Sequence, residues 1–224
     1  MQPRLVIFDC DGTLVDSASV IVSAMSAAFT HHDLVPPSPE EIRAIIGLSL
    51  PGAVARLVAH HPEAPVDDLV DAYKAAFRDM ATRDAALEPT FPGTEETLDA
   101  LRADPATLLG IATGKSRRGL ERVLANHNLT DHFAVTMTAD DAPSKPAPAM
   151  VLQAAAATGI DPARTVVIGD TTYDMEMARA AGAFAIGVAW GYHPPAGLDA
   201  AGAQAIASAM PELPVLIKAL IPDD

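Results

Sequence analysis

Short runs of apolar residues, many of them β-branched, recur along this chain, and each run is closed by a turn or a cluster of polar residues. Within a run the apolar positions are continuous, whereas a strand with one face in water alternates apolar and polar residues. Continuous apolar runs are typical of strands buried on both faces, and such strands are usually parallel. The pattern predicts five buried strands, at residues 5–8, 108–112, 134–137, 165–168 and 184–188.

Apolar residues at helical spacing separate these runs, and they predict helices at residues 116–127, 150–158 and 175–181. The last of these ends at Gly182, a residue type that commonly follows a helix. Strands that alternate with helices indicate an α/β fold with a doubly wound, Rossmann-like parallel sheet. Such sheets bind ligands beyond the carboxyl ends of their strands. The sequence of residues 193–203 predicts a loop followed by a region of small residues that shows no clear pattern.

The interval after the first strand contains no clear strand pattern. Its periodicity predicts helices at residues 18–29, 40–46, 52–60 and 66–86, with Ser38 as an N-cap and Pro39 in the first turn of the second one. A further helix is predicted to begin near Thr94. We therefore predict an α/β core domain made of residues 1–16 and 88–224. We predict that residues 17–87 form an inserted α-helical cap, which we call the helical insertion.

The amino-acid composition excludes several kinds of binding partner. The chain has 224 residues and a formal net charge of −14, which argues against binding to nucleic acid or to anionic membranes. The acidity itself is explained by solubility. The single cysteine, Cys10, excludes an intrachain disulfide, and no apolar run approaches the roughly 20 residues that span a bilayer. The first residues also lack the pattern of a signal peptide, so we expect a cytoplasmic protein.

Polar side chains follow the predicted strands where each strand ends. Because the carboxyl ends of parallel strands meet at one edge of a sheet, we expect these side chains to converge. Asp9 and Asp11 repel each other beside a buried strand, which indicates a cation there. Oxygen ligands suit Mg²⁺, so the sequence predicts that Asp9, Asp11 and Asp170 share this ion. A turn after the strand is the alternative role for Asp9 and Asp11, and capping of the following helix is the alternative role for Asp170 and Asp174.

Four motifs carry a resemblance to a known family. They are DCDGT at residues 9–13, IATGK at 111–115, SKPAP at 144–148 and GDTTYD at 169–174. In this order, each near the end of a predicted strand, they resemble the haloacid dehalogenase-like hydrolase superfamily, in the branch with a helical cap after the first motif. The resemblance covers essentially the whole chain.

The resemblance implies a role for each motif residue. Asp9 resembles the nucleophile that forms an aspartyl-phosphate, and Asp11 resembles the general acid and base, with its backbone carbonyl as a metal ligand. Thr113 and Lys145 are similar to the pair that holds the phosphoryl oxygens, and Asp170 to the remaining protein ligand of Mg²⁺. Asp174 is similar to an outer-shell carboxylate that orients the lysine or a metal-bound water. The predicted phosphate-binding set is Asp11, Gly12, Thr113, Gly114 and Lys145.

The motifs also bear on the reaction. Asp11 favours phosphoryl transfer, because the dehalogenases of the superfamily lack the second aspartate. The whole pattern, including VAWGYHPP at residues 188–195, most resembles phosphoglycolate phosphatase-like members. We therefore expect a Mg²⁺-dependent phosphatase that acts on a small organic phosphomonoester, either phosphoglycolate-like or a sugar phosphate. Residues 45–50, IIGLSL, resemble the cap loop that reaches into the site.

Alternatives to a phosphatase stay open at this stage. They are a sugar-phosphate mutase resembling β-phosphoglucomutase, a receiver-like module that accepts one phosphoryl group, and a binding module without turnover. The order of the motifs does not fit a receiver. A module that had lost catalysis would lack one or more motif residues, and all of them are present here. The sequence leaves the natural substrate and the oligomeric state open.

Overall fold

A six-stranded, fully parallel sheet forms the centre of the molecule, in the strand order β3-β2-β1-β4-β5-β6. The computed structural model describes residues 2–61, 63–83 and 88–222, apart from the side chains of residues 82 and 83. The strands are β1 (Arg4–Phe8), β2 (Thr107–Ala112), β3 (Val135–Met137), β4 (Thr165–Gly169), β5 (Phe184–Val188) and β6 (Ala205–Ala207). The five predicted strands are confirmed to within one residue at either end.

The sheet is buried on both faces, as the continuous apolar runs predict. In β1, Leu5 and Ile7 join one apolar cluster, while Val6 and Phe8 join the other. This division follows from the two-residue period of a strand, which points successive side chains to opposite faces. The doubly wound α/β prediction is therefore confirmed.

Helices cover the two faces of the sheet. On one face the apolar cluster includes residues of α5 (Thr94–Arg102), α6 (Arg117–Asn126) and α10 (Leu213–Leu220). On the other it includes residues of α7 (Ala149–Thr158), α8 (Thr172–Ala180) and α9 (Pro195–Ala201). None of the helices in the described part of the chain has both the length and the apolar composition that crossing a bilayer requires.

The last third of the chain differs from the prediction in four elements, which are α8, α9, β6 and α10. The segment predicted as a loop contains α9, which has Pro195 in its first turn, Leu198 fully buried and Gly202 at its end with a φ of 103°. Helix α8 begins at Thr172, three residues before the predicted start, because Thr171 and Asp174 form a capping box there. Strand β6 and helix α10 were not predicted from the sequence.

The helical insertion contributes α1 (Ala18–His31), α2 (Pro39–Arg43), α3 (Leu50–Leu57) and α4 (Val66–Arg83), which share an apolar cluster of their own. Ser38 caps α2 through a capping box, as predicted. The predicted helix 40–46 ends at Arg43, because the chain turns toward Gly47, whose φ is 99°. The predicted end of the last helix, at residue 86, lies outside the described residues. The division of the chain at residues 17 and 87 stays a prediction.

Candidate active site

The candidate site lies at the carboxyl ends of β1 and β4, two neighbouring strands. From β1 the chain continues to β2 and β3 on one side, and it returns to β4 on the other. This is the switch point at which doubly wound sheets bind their ligands. Asp9 directly follows β1 and Asp170 directly follows β4. The sheet order thus brings together two motifs that are separated by more than half the chain.

Lys145 lies between two buried carboxylates. Its Nζ atom is 2.8 Å from Oδ1 of Asp9 and 2.6 Å from Oδ1 of Asp174. Burial by itself lowers the pKa of Lys145, but the attraction of Asp174 and Asp9 outweighs it and raises that pKa above its ordinary value. Burial raises the pKa of Asp9 from 3.8 to about 7, against the opposing effect of Lys145. Lys145 is therefore positively charged and offsets the negative charge of the buried carboxylates.

Asp174 has the two roles that the sequence leaves open. Its Oδ2 atom accepts hydrogen bonds from the backbone N–H of Thr171 at 3.1 Å and from the Thr171 hydroxyl at 2.7 Å. Its other oxygen pairs with Lys145. One buried carboxylate therefore caps α8 and pairs with the lysine.

Asp170 is fully buried and is held by hydrogen bonds to both of its carboxylate oxygens. The Thr13 hydroxyl donates to Oδ1 at 3.1 Å, and the backbone N–H of Tyr192 donates to Oδ2 at 2.9 Å. Burial, together with the negative charge of Asp9, raises the pKa of Asp170 well above its ordinary value. A cation beside this carboxylate would reverse that effect.

Three carboxylates of this site fit a divalent cation. One oxygen each from Asp9, Asp170 and Asp174 lie within 4.8 Å of one another, and all three residues are buried. Oδ2 of Asp9 is buried and meets no hydrogen-bond donor among the described residues. An all-oxygen donor set that leaves room for water is the chemistry of Mg²⁺ sites. The residues present therefore fit Mg²⁺.

The carboxylate of Asp11 points elsewhere, so it does not share the cluster as the sequence analysis expected. Its Oδ1 atom accepts a hydrogen bond from the Ser17 hydroxyl and lies 2.8 Å from Nζ of Lys115. The opposite charge of Lys115 accounts for this direction. The backbone carbonyl of Asp11 is a separate atom, and its predicted role as a metal ligand stays a prediction.

Thr113 and Gly114 follow β2 and lie under the loop of residues 45–50, the insertion loop. The buried Thr113 hydroxyl accepts a hydrogen bond from the Lys115 backbone N–H at 3.2 Å. A Cβ atom on Gly114 would lie 2.4 Å from the carbonyl oxygen of Leu48. The Ser49 N–H donates to the Ser144 hydroxyl at 2.8 Å, directly beside Lys145. A Cβ atom on Gly47 would also lie 3.3 Å from the Thr171 side chain. The insertion loop therefore packs onto three of the four motifs.

Gly12 is required by the position of Asp170. Its φ is 84°, and a Cβ atom there would lie 2.2 Å from Oδ2 of Asp170. Gly12 is predicted to let the backbone approach a phosphate, and it also lies against the Asp170 carboxylate.

A Gly12→Ala substitution is expected to lower the free energy of unfolding by about 2–4 kcal/mol, because left-handed strain and an overpacked contact act together. Gly182→Ala is the matched control. Gly182 has a φ of 74°, but a Cβ atom there meets nothing within 4 Å. Its expected loss is about 1 kcal/mol. Urea unfolding of both variants measures the difference, and equal losses would contradict a specific contact with Asp170.

Three residues that contact the motif residues or their ion-pair partners were not predicted from the sequence, because no motif contains them. They are Ser17, Glu88 and Arg122. Glu88 pairs with Lys115 at 3.0 Å and also with Arg122. Ser17 binds Asp11 through its hydroxyl. The lysine of IATGK was the available signal, since a buried lysine requires carboxylates around it.

A cavity of about 710 Å³ opens between the helical insertion and the core, and Asp11 is part of its wall. Apolar side chains of the helical insertion, including Met25 and Phe77, form another part of that wall. The charged residues of the lining are Lys74, Arg78, Lys115, Arg118 and Arg122, against Asp11 and Asp140. The cavity is therefore basic in a chain whose net charge is −14.

Known proteins that are similar in sequence or in fold match most of this chain. The family model of haloacid dehalogenase-like hydrolases matches residues 6–188. A probable phosphatase, IndB, of Dickeya dadantii is 39% identical over 219 residues, covering 95% of this chain and 92% of the relative. A phosphoglycolate phosphatase of Chromobacterium violaceum is 32% identical over 225 residues, covering 96% of each chain. The crystal structure of a predicted phosphatase from Clostridium acetobutylicum shares the fold, with a TM-score of 0.85, 23% identity and coverage of 97% of this chain and 99% of that one.

Proposed function

We propose a phosphatase function from one premise, which is that this chain belongs to the haloacid dehalogenase-like hydrolase family. The proposed reaction is the Mg²⁺-dependent hydrolysis of a small organic phosphomonoester, phosphoglycolate-like or a sugar phosphate, through an aspartyl-phosphate. The observation that carries it is the buried Asp9 carboxylate, with Lys145 on Oδ1 and Oδ2 without a donor among the described residues. Relatives named as phosphatases and the basic cavity support the same function.

In the first step the carboxylate of Asp9 attacks the phosphorus atom, and the bond between phosphorus and the alcohol oxygen breaks. Asp11 gives its proton to the departing oxygen. Lys145 stabilises the negative charge on the phosphoryl oxygens, and the Thr113 hydroxyl and the backbone N–H of Gly114 bind the same group. The predicted contact from Gly12 is not included, because its N–H donates to the Val15 carbonyl oxygen at 2.9 Å. The products of this step are the alcohol and an aspartyl-phosphate on Asp9.

In the second step Asp11 takes a proton from a water molecule, which attacks phosphorus and releases inorganic phosphate with Asp9 restored. Mg²⁺, held by Asp9 and Asp170 with Asp174 nearby, would supply the positive charge that lets a carboxylate approach an anionic ester. Asp174 holds Lys145 in place through both steps.

The metal requirement gives a direct test. We expect many phosphates per chain with Mg²⁺ present, and a loss of at least ~100-fold in kcat after chelation, because the repulsion between Asp9 and the ester is no longer screened. Excess Mg²⁺ is expected to restore the activity. Phosphate release is measured on phosphoglycolate, sugar phosphates, nucleoside monophosphates and a nitrophenyl ester.

Each alternative gives a different result in that panel. No release from any ester would contradict the phosphatase proposal. Release that stops at one phosphate per chain would indicate a phosphoryl-accepting module. Isomerisation of a sugar phosphate that outpaces its hydrolysis, with a bisphosphate activator, would indicate a mutase.

A further inference from the structure

A buried row of alternating charges runs from the site to the surface. It consists of Asp11, Lys115, Glu88 and Arg122. Lys115 Nζ lies 2.8 Å from Asp11 Oδ1 and 3.0 Å from Glu88 Oε1, and Arg122 pairs with the other oxygen of Glu88. The Lys115 and Glu88 side chains are 9% and 3% exposed, whereas Arg122 is 29% exposed. Each cation of the row lies beside a carboxyl group, which offsets the cost of burying it.

Lys115 is fixed by this arrangement. Burial by itself lowers the pKa of Lys115, but Asp11 and Glu88 outweigh it and raise that pKa well above its ordinary value. The ammonium group therefore stays charged between its two carboxylates. Moving it away would strand two acidic groups in a poorly solvated place.

The contacts on Asp11 all fall on one oxygen. Within the described part of the chain, Lys115 and the Ser17 hydroxyl both meet Oδ1 of Asp11. With Oδ1 engaged by these two contacts, Oδ2 is the carboxylate oxygen of Asp11 that remains available to a substrate.

The helical insertion closes over the same row. The ring centroid of Phe77, on α4, lies 5.6 Å from Lys115 Nζ and 5.6 Å from the Arg122 guanidinium carbon. An aromatic face near two cations attracts both, and it keeps water away from their ion pairs. The row is thus held by Glu88 from the core and covered by Phe77 from the insertion.

We propose that Lys115 is a positioning residue: anchored by Glu88, it holds Oδ1 of Asp11 so that Oδ2 delivers the proton to the leaving oxygen. This inference rests on the proposed phosphatase function. In the step concerned, the bond from Asp9 to phosphorus forms and the bond from phosphorus to the alcohol oxygen breaks. The proton of Asp11 Oδ2 moves to that oxygen, which leaves as a neutral alcohol.

The leaving group separates this role from a structural one. An alkoxide needs a proton to depart, whereas a nitrophenolate departs without one. The kcat/KM value reports the steps up to release of the alcohol, so Lys115→Met is compared on an alkyl phosphate and on a nitrophenyl phosphate. We expect kcat/KM to fall ~10–100-fold for the alkyl ester and less than ~3-fold for the nitrophenyl ester.

Two controls sharpen the comparison. Asp11→Asn is expected to show the same dependence on leaving group, and adding Lys115→Met to it is expected to cause no further selective loss, since both act through one proton. Arg118→Met removes another positive charge from the cavity lining without touching Asp11. It is expected to leave the ratio of the two esters unchanged.

The outcomes are distinct. Equal losses on both esters, or no loss on either, would overturn the positioning role while leaving the phosphatase function intact. A native protein that releases phosphate from neither ester would overturn both. If Lys115→Met fails to fold, the variant with Lys115→Gln and Glu88→Gln removes the charges of the pair together, and the same selective loss on the alkyl ester is expected of it.

Discussion

Asp9→Asn is expected to abolish turnover, with kcat falling by at least ~10⁴-fold, because an amide oxygen cannot replace the carboxylate that attacks phosphorus in the proposed reaction. The substitution keeps the size of the side chain and an oxygen that can accept a hydrogen bond from Lys145. Phosphate release from the best ester in the presence of Mg²⁺ measures the effect. A variant that keeps more than ~1% of the native kcat would contradict the nucleophilic role.

The same substitution is expected to leave the metal-free protein as stable as before, or more stable, at pH 8. The pKa of Asp9 is raised from 3.8 to about 7 in the folded protein, mainly by burial. The folded state therefore holds a proton that the unfolded chain gives up, and stability from this group falls as pH rises between about 4 and 7. Asparagine removes the buried charge and with it this loss of stability. Functional sites in proteins commonly carry such a cost in stability.

Thermal unfolding in the presence of a chelator tests this expectation at pH 5 and pH 8. The stability of Asp9→Asn relative to the native protein should increase toward pH 8, where the native Asp9 carboxyl is ionised. The exposed Asp131 offers a matched control, since Asp131→Asn is the same change outside the site. A clear loss of stability for Asp9→Asn at pH 8 would show that the Asp9 charge stabilises the fold through Lys145.

Lys145→Met is expected to remove both activity and stability. Without the lysine, Asp9, Asp170 and Asp174 share a buried pocket with no protein cation within the contacts described, and breaking a buried pair costs about 3–5 kcal/mol. The phosphoryl oxygens also lose their cation, so kcat is expected to fall by at least ~10³-fold. Urea unfolding at pH 8 with a chelator and phosphate release with Mg²⁺ measure the two losses.

Matched variants separate the two effects of Lys145. Lys218→Met makes the same change at an exposed position on α10, where a loss within about 0.5 kcal/mol is expected. Adding Asp174→Asn to Lys145→Met removes one of the repelling carboxylates, so it is expected to regain stability but not activity. A Lys145→Met protein that is as stable as the native one at pH 8 would contradict the electrostatic account of this pocket.

Much of this architecture could be predicted from local sequence alone. Continuous apolar runs identified five of the six strands, because a strand buried on both faces needs no polar alternation. Ser38 and Gly182 marked helix ends through capping and backbone conformation, both of which depend on near neighbours. The motif residues lay close to the ends of strands, so their convergence followed from parallel topology.

Short elements were less predictable. Strand β6 has three residues and pairs with β5 alone, and helix α9 has one fully buried apolar residue, Leu198. Neither is long enough to show a hydrophobic period. Their formation depends on a sheet edge and a helix that other segments supply.

The sequence by itself determined which chemical groups stand at the strand ends, namely the aspartates, the lysines and the hydroxyls of four motifs. The tertiary structure alone decided how they pair. Asp174 rather than Asp11 joins Asp9 and Asp170, because Lys115 draws the Asp11 carboxylate away and Lys145 draws Asp174 in. The direction of a charged side chain depends on opposite charges that arrive from distant parts of the chain, and in a buried site those charges outweigh local preference.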